Sequence, residues 1–312
     1  MNQGQNDLET VIASLDLLDH HGVDWTRVQR TAYLIHQHLR YDYPGPIHDL
    51  SQLLMIVPPE QYGDQRRVVY RLEVSAPTSD IISQFDEFGN LVLNPLVPTV
   101  ESAVDFEAWI VVERRADNGP HYIDASWLSD MRMLEPSRLT HPDETLRNVA
   151  ATFVAEGLQG LELAQRINSW TYHALQYENG ITTIRTTVAE ALRLGKGVCQ
   201  DFAHIMITLC RLCSLPARYV SGHLLGEGGT HAWVEVLLPV TDQLDKALVV
   251  PFDPTHEREA SLSYVTIAVG RDYFDVAPTS GSFRASYSGQ LSARKRVNLT
   301  VLEYADTLSK DE

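Results

Sequence analysis

The sequence predicts an α+β fold in which a mainly antiparallel β domain precedes a core of helices packed on an antiparallel sheet. Short runs rich in β-branched and aromatic residues dominate residues 28–125, and apolar residues at helical spacing dominate residues 143–212. Alternating or apolar runs return after residue 217. This order of elements is the basis of the α+β prediction.

The N-terminal part divides into a leading segment and a β-rich domain. In residues 1–27, apolar residues at helical spacing predict a helix over residues 8–18, with Gly22 as its stop. In residues 28–125, runs such as 68–74 and 106–112 read as strands, and Gly- and Pro-containing turns separate them. We expect an antiparallel sandwich or half barrel there.

The core is predicted to span residues 126–304, followed by a tail at 305–312. Its strands follow its helices and end with a long run near the C-terminus. Helices are predicted over residues 143–153, 160–176, 187–194 and from 199 to about 212, and strands over 217–225, 232–238, 248–252, 264–269 and 291–303.

Composition excludes several classes of partner. The chain has 312 residues with 25 Lys and Arg against 41 Asp and Glu, a formal net charge of −16 that disfavours nucleic acid and anionic membrane surfaces. No apolar run is long enough to span a bilayer, and no secretory signal is visible at the start. Three cysteines within one fifteen-residue stretch exclude a disulfide framework, so we expect a cytoplasmic protein with reduced thiols.

Cys199 stands at the predicted start of a buried helix. Gly195 and Gly197 precede it, and an apolar stripe from Phe202 to Leu212 follows it. The free N–H groups and the dipole of a helix N-terminus favour a thiolate over a thiol, and the thiolate is the nucleophilic form. Because most free cysteines are buried apolar residues, this position alone does not establish catalysis, and partner residues decide the matter.

Two polar residues occupy matching places on neighbouring predicted strands. His231 begins one strand and Asp253 ends the next, with a polar loop between the strands. If the strands pair in antiparallel fashion, the start of the first lies beside the end of the second. Nucleophile, general base and orienting carboxylate are the parts that activated thiol chemistry requires, so Cys199, His231 and Asp253 are predicted to form a catalytic triad.

The same residues carry a family resemblance. The runs GVCQDFAH at 197–204, PARYVSG at 216–222, HAWVEV at 231–236 and DPT at 253–255 resemble bacterial transglutaminase-like proteins, a group often described as cysteine proteases. The β-rich half is similar to the N-terminal domain that usually precedes this core, so the resemblance covers about residues 28–304. It implies a papain-like, transglutaminase-like core whose central helix begins at Cys199 and packs on the sheet that carries His231 and Asp253.

The resemblance implies attack of the Cys199 thiolate on an amide carbonyl, with a thioester intermediate. Hydrolysis of the thioester gives a thiol-dependent amidohydrolase or cysteine peptidase acting on a peptide or protein, which is the preferred interpretation. Transfer to a lysine-type amine would give a protein-glutamine γ-glutamyltransferase, and a non-catalytic peptide- or protein-binding module is the third alternative. The N–H of Cys199 is expected to bind the oxyanion, and Tyr177 is a weak candidate for a second donor.

No cofactor or metal is predicted. Cys210 and Cys213 have the spacing of a redox or zinc pair, but both fall inside the predicted helix, where packing is the simpler explanation. His204 follows Cys199 by five residues and points away from it on a helix, so it is expected to be structural. The sequence leaves the substrate and the oligomeric state open.

Overall fold

The computed structural model of the protein describes residues 17–305. The leading helix expected over residues 8–18 lies outside the described residues except at its end, where Leu18 forms an isolated antiparallel bridge with Leu299. The two predicted regions are both present, and the α+β fold class is confirmed.

The helices and strands are numbered here in chain order. The helices are α1 (Met131–Leu134), α2 (Glu144–Glu156), α3 (Gly160–Ala174), α4 (Val188–Leu194) and α5 (Cys199–Leu212). The strands are β1 (Val28–Asp42), β2 (Ile47–Leu54), β3 (Gln61–Tyr62), β4 (Gln65–Val74), β5 (Asp80–Phe85), β6 (Leu91–Val100), β7 (Ala103–Arg115), β8 (Tyr122–Asp124), β9 (Gln176–Tyr177), β10 (Lys196–Gly197), β11 (Ala217–Leu224), β12 (His231–Pro239), β13 (Lys246–Asp253), β14 (Arg258–Glu259), β15 (Tyr264–Gly270), β16 (Thr279–Arg284) and β17 (Gln290–Tyr304). None of the helices in the described part of the chain has the length and apolar character of a membrane-spanning segment.

The N-terminal domain is an antiparallel sandwich. One sheet has the order β17-β1-β7-β4-β3 and the other the order β16-β2-β6-β5. Alternate residues of both sheets, among them Tyr33, Leu93 and Phe106, meet in one apolar core. Of the two predicted arrangements, an antiparallel sandwich or a half barrel, the domain therefore adopts the sandwich.

The last two strands join this sandwich and not the sheet of the core, although both fall within residues 126–304, the predicted range of the core. β17 pairs with β1 along its length, from Val28 opposite Tyr304 to Asp42 opposite Gln290, and β16 pairs with β2. An alternating run indicates a strand but not its neighbour, because the partner is set by tertiary packing. Without these strands, β1 and β2 would expose unpaired sheet edges.

The core places α5 at its centre. Its sheet has the order β14-β13-β12-β11-β15, and α5 packs between β12 and the helices α2, α3 and α4. The predicted apolar stripe accounts for one face of α5, but residues 200–211 are buried on all sides. Its buried arginine is bonded internally: Arg211 donates to the carbonyls of Met133, Ala217 and Arg271.

The two parts of the molecule meet at the edge strand β15. The side-chain amide of Gln65 donates to the carbonyl of Thr266 and accepts from its N–H, at 2.8 and 2.9 Å. Asn90 makes the same pair of bonds with Val269, at 2.7 and 2.8 Å. Two amide side chains of the N-terminal domain thus take the place of a neighbouring strand, which fixes the domain against the core.

Gly222 is the residue of β11 that lies opposite His231 in the register of β11 and β12. A Cβ added here would lie 2.2 Å from the carbonyl oxygen of Val265 and 2.5 Å from the ring of Trp233. We therefore expect Gly222→Ala to lower the free energy of unfolding by about 2–3 kcal/mol, measured by urea denaturation.

Gly228→Ala is the matched control, because a Cβ there would meet no atom within 4 Å. It lies in the loop between β11 and β12 and should change stability by less than about 0.5 kcal/mol. Equal stability of the two variants would contradict the close packing at Gly222.

Candidate active site

Cys199 is the first residue of α5, as the sequence predicted. The carboxylate of Asp201 fixes this end of the helix, because its Oδ2 accepts from the backbone N–H of Val198 at 2.8 Å and from the hydroxyl of Thr182 at 2.6 Å. Cys199 itself is half-buried, whereas Asp201 is buried. The thiol is thus held at a rigid helix N-terminus with access to the surface.

His231 and Asp253 meet as expected from the pairing of their strands. β12 and β13 are antiparallel, and the Nε2–H of His231 donates to Oδ2 of Asp253 at 2.8 Å. Both side chains are buried. Since Nε2 binds the carboxylate, Nδ1 is the nitrogen left to exchange a proton with another group.

Asp253 holds a wider network that the sequence analysis missed. Its Oδ2 also accepts from Nδ1–H of His256 at 2.7 Å and from the hydroxyl of Tyr264 at 2.6 Å. Its Oδ1 accepts from the backbone N–H of Thr255 at 2.9 Å. His256 follows Asp253 by three residues, so the turn after β13 was the signal that could have located it.

Glu227 is a second carboxylate beside His231. Its Oε2 lies 3.1 Å from Nδ1 of His231, and its Oε1 lies 3.6 Å from Nε2 of His256. Glu227 lies in the loop before β12 and is partly exposed. The imidazole of His231 therefore lies between two negatively charged groups, which favours its protonated form.

The electrostatics of the pair follow from these contacts. Burial opposes the charged form of His231, but its hydrogen bond to Asp253, the thiol of Cys199 and the carboxylate of Glu227 outweigh burial and raise its pKa. Burial likewise opposes ionisation of Asp253, but hydrogen bonds from His231 and His256 hold its pKa well below the usual range. Both shifts favour an imidazolium bound to a carboxylate.

Cys199 and His231 line one cavity of about 300 Å³. Its walls come from the start of α5, from β11 and β12, and from β1 and β17 of the N-terminal sandwich. The thiol of Cys199 is close enough to the imidazole to contribute to the raised pKa of His231. The N-terminal sandwich and the core thus both contribute to the surface around the thiol.

The remaining candidates have other surroundings. His204 is buried, and its Nε2 accepts from the backbone N–H of Tyr273 at 3.2 Å. Burial lowers the pKa of His204 to about 3, which keeps it neutral. Cys210 is fully buried within α5, and the thiol of Cys213 lies against the carbonyl of Ala150. Tyr177 is half-exposed in β9, which pairs with β10 just before Cys199.

Two groups of side chains in residues 17–305 have the donor atoms of a metal site. One is the exposed run Asp19, His20 and His21; the other consists of His231, Asp253 and His256, whose ligand atoms lie within 4.8 Å of one another. In the second group, Oδ2 of Asp253 already accepts three hydrogen bonds. That arrangement satisfies the carboxylate with protons, so these residues fit proton transfer better than coordination of a cation.

Known proteins resemble this chain in both halves. Residues 147–254 match the transglutaminase-like superfamily core, and residues 33–113 match the bacterial transglutaminase-like N-terminal region. An uncharacterized protein of Mycobacterium tuberculosis is 29% identical over 245 residues, which cover 70% of this chain and 76% of the relative. An uncharacterized protein of Mycobacterium leprae is 36% identical over 124 residues, or 36% of this chain and 42% of the relative.

A solved structure shares the fold. A protein of Cytophaga hutchinsonii, described as a "putative cysteine protease", superposes with a TM-score of 0.68 at 22% sequence identity. The superposition covers 89% of this chain and 92% of the other. The likeness therefore includes the β-rich N-terminal domain as well as the core.

Proposed function

Since the chain is a member of the transglutaminase-like superfamily, we propose that it is a thiol-dependent amidohydrolase, a cysteine peptidase that cleaves an amide or isopeptide bond. In this proposal Cys199 is the nucleophile, His231 is the general acid and base, and Asp253 orients His231. The observation that supports it most is the buried hydrogen bond of 2.8 Å between His231 and Asp253, beside the thiol of Cys199 in one cavity.

The acylation step follows from these roles. The thiolate of Cys199 attacks the carbonyl carbon, and the C–N bond breaks as the imidazolium of His231 gives its proton to the departing amine. The products are the free amine and a thioester on Cys199. In this proposal the backbone N–H of Cys199, at the start of α5, stabilises the negative oxygen that develops during attack.

Deacylation reverses the proton transfers. His231, now neutral, takes a proton from water as the water oxygen attacks the thioester carbonyl. The C–S bond breaks, the acid leaves, and the thiolate and imidazolium return. Asp253 stays ionised throughout and holds the imidazole in one tautomer by its bond to Nε2.

The test uses the three thiols of the chain as their own controls. Burial raises the pKa of both Cys210 and Cys213, so these thiols should react slowly with iodoacetamide near neutral pH. We expect Cys199 to be alkylated at least about 10-fold faster than Cys213 at pH 6.5, and His231→Ala to remove this difference. Mass spectrometry of each peptide gives the three rates.

Two results would contradict the proposal. Alkylation of Cys199 at the rate of a free thiol in the wild-type protein would remove the activated nucleophile. With a peptide substrate, incorporation of a labelled primary amine faster than hydrolysis would instead assign the site to acyl transfer.

His173→Ala is the matched control for His231→Ala. His173 is an exposed histidine at the end of α3, and its replacement should leave the alkylation rates unchanged.

A further inference from the structure

The cavity that holds Cys199 and His231 also contains a lysine without a role in the steps above. Lys295, on β17, lines this cavity, and its Nζ donates a hydrogen bond to the hydroxyl of Thr230, the residue before His231. Because β17 belongs to the N-terminal sandwich, this domain supplies an ammonium group to the site in the core.

The positive charge of Lys295 has no acidic partner within residues 17–305. Burial is the influence that shifts its pKa, which falls to about 8, whereas a neighbouring carboxylate would oppose that fall. His223, buried in β11, does not share the charge, since burial and then the nearby Lys295 lower its pKa to about 3. At pH 7 the ammonium is therefore mostly protonated and not neutralised.

The described walls of the cavity also lack acidic side chains. None of the described residues that line it is Asp or Glu, although the chain has 41 acidic residues and a net charge of −16. Leu39, Leu291 and Ala293 add apolar side chains to the wall of the same cavity. A partly buried ammonium without an anion is costly, and an anionic ligand would compensate for the lost hydration.

We propose that the substrate carries a carboxylate on the amine side of the scissile bond and that Lys295 binds it. The inference rests on the proposed function, because it takes Cys199 as nucleophile and His231 as the acid for the departing amine. Thr230, the residue that Lys295 contacts, is adjacent in the chain to His231, which gives its proton to the amine in the proposed mechanism. We therefore assign the carboxylate to the amine side of the bond. The α-carboxylate of a last residue and the side chain of Asp or Glu both have this chemistry.

The test compares two alkylating reagents that differ in one group. Iodoacetate carries a carboxylate, and iodoacetamide is its neutral analogue. In Lys295→Met we expect the rate constant of Cys199 with iodoacetate to fall about 10-fold more than that with iodoacetamide, as for loss of one ion pair with a carboxylate. Lys295→Arg should retain the wild-type ratio of the two rate constants, since it keeps the charge.

Arg294→Met is the matched control. Arg294 is the neighbour of Lys295 on β17, is exposed and does not line the cavity. This variant removes the same charge from the same strand, so long-range attraction would change its ratio as much as that of Lys295→Met. We expect the ratio in Arg294→Met to equal that of the wild type.

The inference and the proposed function fail in different measurements. A slow reaction of wild-type Cys199 with iodoacetamide would overturn the proposed function. An unchanged ratio in Lys295→Met, or an equal fall in both rate constants, would overturn carboxylate binding, because Lys295 would then have no effect or would act on the thiol.

A protection experiment distinguishes the two sources of carboxylate. N-Acetylglycine presents an α-carboxylate, and the α-amide of N-acetylglutamate presents a side-chain carboxylate. If one of these compounds protects Cys199 from iodoacetamide, and this protection is lost in Lys295→Met, the inference is supported. The compound that protects then identifies the type of carboxylate. Protection that persists in Lys295→Met would overturn it.

Discussion

Asp253→Asn is expected to slow alkylation of Cys199 by iodoacetamide at pH 6 by about 100-fold. The neutral amide removes the carboxylate that contributes most to keeping His231 protonated, and a thiol without an imidazolium partner is mostly protonated at pH 6. Hydrolysis of an amide substrate should fall further, by up to about 10⁴-fold, because the amide also misorients the imidazole. The rate measured from pH 5 to 9 should rise with pH in the variant.

The same variant makes a prediction about stability. The raised pKa of His231 contributes stability below its ordinary value of 6.5, and this contribution is lost as pH rises through the folded value. The lowered pKa of Asp253 contributes stability above its ordinary value of 3.8, and this is lost as pH falls through the folded value. The difference in unfolding free energy between the wild type and Asp253→Asn should therefore be largest between about pH 4 and 6.5.

Asp130→Asn is the control for both measurements. Asp130 pairs with Arg132 at 2.6 Å on the surface, away from the cavity of Cys199. It should leave the alkylation rate unchanged and alter stability by less than about 1 kcal/mol. A pH-independent difference between the wild type and Asp253→Asn would refute the charged pair.

The second large effect is expected at Glu235. Its Oε2 accepts from Nε of Arg218 at 2.7 Å and from the hydroxyl of Tyr62 at 2.6 Å, and both charged side chains are 4% exposed. Glu235→Ala would leave the guanidinium of Arg218 buried and unpaired. We expect the free energy of unfolding to fall by about 3–5 kcal/mol, measured by urea denaturation.

Two further variants separate the causes. In the double variant Arg218→Met with Glu235→Leu, both charges are replaced by apolar groups, and we expect it to be more stable than Glu235→Ala alone. Glu156→Ala breaks a pair with Arg166 that is 42% exposed on the arginine side, and it should cost less than about 1 kcal/mol. If Glu235→Ala lowered the free energy of unfolding by no more than Glu156→Ala does, the buried pair would not contribute to stability in the way expected.

The sequence predicted most elements and the relation of His231 to Asp253. The predicted strand over residues 232–238 corresponds to β12, and that over 248–252 corresponds to β13. An antiparallel hairpin brings the start of one strand beside the end of the next, so local pattern was enough to pair these residues. The catalytic roles assigned to them remain predictions.

Contacts between distant parts of the chain could not be predicted in this way. Lys295 reaches the cavity because β17 pairs with β1, and no local pattern indicates which sheet a strand joins. Glu227 and His256 were missed because each lies in a loop, where side-chain direction depends on the turn. Sequence periodicity describes faces of elements, whereas these contacts depend on how the elements pack.

Pairing of β1 with β17 joins residues separated by most of the chain. During synthesis on a ribosome, the sheet that contains β1 cannot be completed until residues 290–304 have emerged. Its completion therefore requires closure of the very long loop between β1 and β17. The same event brings Lys295 to the cavity wall. A nascent chain that has already formed α5 and β12 would hold the thiol and the imidazole in a groove that lacks the wall formed by β17 and the ammonium group of Lys295.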